Sequence, residues 1–142
     1  MNIDSFKARL ISATGADFSW KEHDGYKGDG ANIYAEVYLP NFPAATIDVY
    51  LHSNSLEVWF RLNQVRANTD TLLLMNDFNK NVDYFKAFMF ENRRGESYLV
   101  VSSNQIYVPD EDSGVKAFQE ILKGIFSEEV NTYFRPLTII AK

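Results

Sequence analysis

The sequence predicts an α+β fold built on an antiparallel sheet, and three observations carry that prediction. Apolar and polar residues alternate over several short stretches before residue 65. The period becomes helical around residues 70–82 and again after residue 112. Strand-like runs also follow one another without intervening helices, which gives antiparallel neighbours rather than βαβ units. The predicted order is α-β-β-β-β-α-β-β-α, with helices packed on one face of the sheet. A chain of 142 residues makes one domain, spanning 1–142. At that size folding buries roughly two thirds of the surface exposed by the unfolded chain, enough for a single core.

The elements follow in order. Asp4 or Ser5 can cap a first helix whose apolar positions are Ile3, Phe6, Leu10 and Ala13, with Gly15 as its stop. Phe18 and Trp20 alternate with polar neighbours, so 16–24 reads as a strand. DGYKGDG, residues 24–30, carries three glycines in seven positions and reads as a hairpin loop. In ANIYAEVYLP, Ile33, Ala35, Val37 and Leu39 alternate with Tyr34, Glu36 and Tyr38, and Pro40 and Pro43 end the strand. TIDVYLHSNSLEVWFRL is a hairpin turning at Ser53-Asn54. Asn68, Thr69 or Asp70 can cap a helix to about Val82, with Leu72, Met75, Phe78 and Val82 as its stripe and Leu74 beside it. Two strands, 84–91 and 98–103, join around Asn92-Arg93-Arg94-Gly95, and 104–108 extends or follows the second. A last helix begins at Asp112 or Ser113. Val115, Phe118, Leu122 and Ile125 lie along it, and Pro136 is its predicted stop.

This reading gives the sheet two unlike faces. Ile33, Val37, Ile47, Val49, Val58 and Phe60 share the face that must lie under helices. The other collects Tyr34, Tyr38, Tyr50 and Trp59 among Glu36, Asp48, Glu57 and Arg61. An antiparallel sheet can leave one face wet, but solvation alone does not call for aromatics there. Tyr and Trp pair a large apolar body with a polar handle, as binding surfaces favour. Cross-strand packing of the rings is the structural alternative, and cover by a helix is another. The expected partner-binding residues are Tyr34, Glu36, Tyr38, Asp48, Tyr50, Glu57 and Trp59.

Composition narrows the function classes. There is no cysteine, so disulfides and thiolate metal sites are excluded. The net charge of −5 argues against direct binding to nucleic acid or to an anionic membrane. No apolar run reads as a leader or a span, and the expectation is a cytoplasmic protein. Glu22-His23-Asp24 cannot converge on a metal, because strand neighbours face opposite ways, and only His52 could add a nitrogen. Counted from Asp110, a calcium loop would need glycine at Val115 and glutamate at Ile121, so these acids serve a helix start instead. DGYKGDG lacks phosphate-loop spacing, and no serine sits in a nucleophile elbow. No enzyme and no cofactor are expected.

LLLMNDFNKNVDYFKAFMF resembles the asparagine-bearing middle helix, running into an alanine-bearing strand, of the YbjN-type, type III secretion chaperone-like fold. YLVVSSNQIYVPDEDSGVKAFQEILKGIF resembles that fold's final strand and long amphipathic helix. Four candidate strands precede the middle helix here, where secretion chaperones usually have three. The resemblance implies a small acidic domain, often dimeric, without enzymatic chemistry, that binds another protein. The expected function is a non-enzymatic protein-binding module of chaperone or adaptor type. Its partner would be another protein, with a basic one favoured by the acid rim, or a second copy. The alternative is a small acidic inhibitor, of phage or mobile-element type, acting on a nucleic-acid-binding host enzyme.

Overall fold

A computed structural model describes residues 3–14, 18–22, 30–37, 45–52, 55–64 and 68–140. The elements are α1 (Ile3–Thr14), β1 (Phe18–Glu22), β2 (Gly30–Val37), β3 (Ala45–His52), β4 (Ser55–Gln64), α2 (Thr69–Asn81), β5 (Phe85–Glu91), β6 (Ser97–Ser103), β7 (Ile106–Tyr107), α3 (Glu111–Ile125) and α4 (Glu128–Ile140). The expected α+β class is correct. Strands β1 to β4 form the predicted antiparallel meander, and the sheet order is β1-β2-β3-β4-β6-β5, with β7 also on β4. The predicted turn at Ser53-Asn54 and the glycine loop lie outside the described residues, although His52 and Ser55 pair across the former.

One sheet face supplies Ile47, Val49, Leu56, Val58, Phe60, Leu99 and Val101 to the core. Phe6 and Leu10 of α1, Met75 and Phe78 of α2, Phe118, Ile121 and Ile125 of α3, and Phe134 and Leu137 of α4 join that same cluster. The helices therefore pack on one face, as the period-2 and period-3.6 patterns require. Ala13, expected on the inner stripe of α1, is exposed. On α2 the inward stripe is Thr71, Met75, Phe78 and Val82, and Leu72, expected there, is 47% exposed. Met75, Phe78 and Val82 face inward as expected, with Phe78 in ring contact with Phe134, and only the first turn differs.

The predicted single last helix is two. Phe126 ends α3 with φ −94° and ψ 0°. Ser127 then splices the two ends: its hydroxyl donates to Gly124 O at 2.7 Å and accepts from Val130 N–H at 3.4 Å. Pro136 lies inside α4 rather than stopping it. Its missing N–H and its ring cost an isolated helix about 3 kcal/mol. Burial of Phe134, Leu137 and Thr138 around it outweighs that cost. The α3 cap is Asp110, two residues before the expected Asp112, and its carboxylate accepts from Ser113 N–H at 2.8 Å. That backbone N–H, then the Ser113 hydroxyl, hold the Asp110 carboxyl below its ordinary pKa.

Two local devices complete the fold. The β5–β6 turn uses Asn92, whose side-chain oxygen accepts from the N–H groups of Arg94 and Glu96, and Gly95 supplies φ +78°. At the free edge of β5, Asn79 of α2 acts as a one-residue strand. Its amide oxygen accepts from Ala87 N–H at 2.7 Å, and its amide nitrogen donates to Ala87 O at 2.9 Å. A sheet edge presents unpaired backbone groups, and here a helix side chain satisfies both groups of one residue.

Removing this side chain strands a half-buried donor and acceptor, so Asn79→Ala should cost about 1–3 kcal/mol, read as a lower urea midpoint at unchanged slope. Gly114 is needed for contact between α1 and α3, since a Cβ there would stand 2.6 Å from the Phe6 ring. Gly114→Ala should therefore destabilise by about 1–3 kcal/mol through overpacking despite its better helix propensity, and thermal unfolding would show it.

Candidate functional site

The face opposite the helices is assembled from four adjacent strands. Antiparallel register sets Asp48 against Trp59 and Tyr50 against Glu57. It sets Trp59 against Ser102 and Arg61 against Val100. The edge hairpin adds Phe88 against Val100 and Phe90 against Tyr98. Side chains directly opposite one another share a face, so these form one surface.

Trp59 is its centre. Its ring meets Tyr50 at 5.0 Å and 61°, Phe88 at 5.2 Å and 84°, and Phe90 at 5.8 Å and 71°. These edge-to-face contacts set the positive ring edge against the negative ring face, the arrangement aromatic quadrupoles favour. The indole N–H donates to Glu57 Oε1 at 2.8 Å. All four rings are half-buried or exposed, with Phe90 at 37%. Beside them lies a charged row. Arg61 Nη2 donates to Asp48 Oδ1 at 3.1 Å, and the guanidinium carbon sits 5.9 Å from the centroid of the Tyr98 ring. The Tyr98 hydroxyl donates to Glu96 Oε2 at 2.9 Å. That bond to a carboxylate is the first cause of a raised Tyr98 pKa, with burial second.

Of the residues expected from sequence, Asp48, Tyr50, Glu57 and Trp59 come together. Asp48 is not an open rim acid: only 8% of it is exposed, and its charge is matched by Arg61. Tyr34 and Glu36 lie on β2 at the register positions opposite Asp48 and Thr46. Tyr38 is outside the described residues. Phe88, Phe90 and Tyr98 were missed by the sequence reading. FKAFMFE does place Phe88 and Phe90 on one side of a strand, but only the β4–β6 pairing brings that strand beside Trp59. Among the described residues, no group of three His, Asp or Glu could hold a metal ion. No described helix is long and apolar enough to cross a membrane.

The architecture has a solved counterpart. The crystal structure of YbjN from E. coli, a proposed transcription regulator, superposes with a TM-score of 0.57 over 96% of this chain and 94% of that one. The fold is that of YbjN. Identity to YbjN is 15%, so the likeness concerns the fold and not particular side chains. No protein-family model matches the chain, and no curated protein does either.

The Asp48–Arg61 pair can be tested directly. Arg61→Met takes the Arg61 guanidinium away from a nearly buried carboxylate and should cost about 1–3 kcal/mol. Asp48→Asn combined with Arg61→Met should cost less than the single Arg61 change, and urea midpoints for the full cycle measure the difference.

Proposed function

We propose that this protein is a non-enzymatic protein-binding module of chaperone or adaptor type, taking its partner on the sheet face centred on Trp59. The single observation that carries the reading is the cluster of Tyr50, Trp59, Phe88 and Phe90 on the face opposite the helix-covered core. Rings held by one another lose little further freedom on binding, which is how rigid aromatic anchors contribute affinity. Glu57 and Arg61 flank the rings and supply polar selectivity. The shared YbjN fold supports a binding role, since YbjN is described as a proposed transcription regulator.

The occupant is a partner protein presenting an apolar segment. With the partner identified by crosslinking from a photoreactive group at position 90, binding of the purified pair is titrated against the Tyr50→Ala/Trp59→Ala double variant. Loss of at least about tenfold in affinity with a retained cooperative unfolding transition is the expected result, since aromatic hot spots contribute about 2 kcal/mol or more. Equal binding by the double variant would remove the face from the function. Unfolding of the variant would assign the cluster to stability. Light scattering across concentrations covers a second copy as occupant, because a dimer dissociated by the same substitutions would place self-association on this face.

A further inference from the structure

On the helix-bearing side, a cleft of about 540 Å³ opens where α3 meets α4 beside the start of β5 and the end of β6. Its size falls within the range of small-ligand sites, roughly 300–1,000 Å³. Phe85, Ile106, Ile121 and Val130 give it an apolar lining. Two carboxylates also line it, Glu120 from α3 and Glu129 from α4, and among the described residues no lysine or arginine does. Both glutamates are exposed. Neither carboxylate makes an ion pair or side-chain hydrogen bond with another described residue. The cleft exists because the last helix is broken: Ser127 turns the chain, and so brings the α4 carboxylate to the same opening as the α3 one.

An apolar pocket with unmatched negative charge is complementary to a cation on an apolar stem. We infer that this cleft binds the lysine side chain of a partner protein, its methylenes against Phe85, Ile106, Ile121 and Val130 and its ammonium between Glu120 and Glu129. A lysine stem buries its methylenes on apolar surface while its head seeks carboxylates. Surface carboxylates alone would contribute little, because water screens them. A partly enclosed apolar site weakens that screening and adds the burial of the stem. The inference is independent of the sheet-face reading, because it uses other residues on the opposite side of the sheet.

The test is an NMR titration of the intact protein, following the backbone amides of Gly124 and Ser127. The probes are Nα-acetyl-lysine methylamide, the norleucine analogue that has a similar stem without the ammonium, and hexylammonium. The blocked lysine should give saturable shifts, with the norleucine analogue at least tenfold weaker. Glu120→Gln/Glu129→Gln should abolish that preference while leaving the rest of the spectrum in place. Equal binding of lysine and norleucine analogues would overturn the role of the carboxylates. Absence of shifts with every probe would overturn the site. Hexylammonium binding more than tenfold tighter than the blocked lysine would overturn the assignment to a protein side chain in favour of a free amine.

Discussion

Strand β4 is ten residues long and central, and every other part of the sheet depends on pairing it on both sides. On one side β3 runs alongside it from Ser55 to Arg61. On the other, no single strand does. Strand β6 pairs with its second half and β7 with its beginning. Between them the chain leaves the ladder at Asn104 and Gln105, and the Val58 N–H would be left facing nothing. The Ser103 hydroxyl accepts that N–H at 2.9 Å and donates to Asn104 O at 3.1 Å. A buried unpaired amide costs about 1–3 kcal/mol, so one hydroxyl lets two short strands serve as one long one. The same splice lays Ile106 under the helices and closes one wall of the α3–α4 cleft.

The sheet's edge is handled by the same economy. Strand β5 ends the order, and an open edge invites pairing with another chain. Helix α2 comes down over it, and Asn79 occupies both backbone groups of Ala87. Ala87 is small and buried, as a residue beneath a helix side chain must be. With α2 fixed there, its inward stripe and the packing of α4 against it follow. The buried apolar surface of the helices then lies on one side of the sheet, and the rings of Tyr50, Phe88 and Phe90 are left to pack on Trp59. Aromatic pairs in edge-to-face contact contribute about 0.5–1.5 kcal/mol each beyond area burial, so the cluster stiffens the face that would receive a partner.

Charge is distributed by the same logic of local matching. Asp48 is enclosed and answered by Arg61, whose guanidinium also lies near the Tyr98 ring. Glu111 and Asp112 at the start of α3 are answered by Arg9 of α1, with Ser5 also donating to Glu111 at 2.7 Å. Those contacts tie the first helix to the third. Glu120 and Glu129 belong to the exposed carboxylates that make no ion pair among the described residues, and the α3–α4 cleft brings these two to one opening.

The sequence by itself determined the fold class, the four-strand meander, the helix at 69–81 and the hairpin at Asn92–Gly95. Each rests on a period or a turn chemistry that acts within a few residues. It also placed Tyr50 and Trp59 on the face away from the core, because strand alternation leaves no other choice once Val49 and Val58 are inside. Tertiary structure decided what depends on distant partners. Nothing local announces that Phe88 and Phe90 would meet Trp59, since that needs β6 to cross between β4 and β5. Nothing local turns Asp48 from a surface acid into the counter-ion of Arg61. The break at Ser127 uses a favoured N-cap, but the continuation through Pro136 runs against helix propensity. It holds because Phe134 and Leu137 find a buried site against α2 and the sheet, and burial contributes more than propensity takes away.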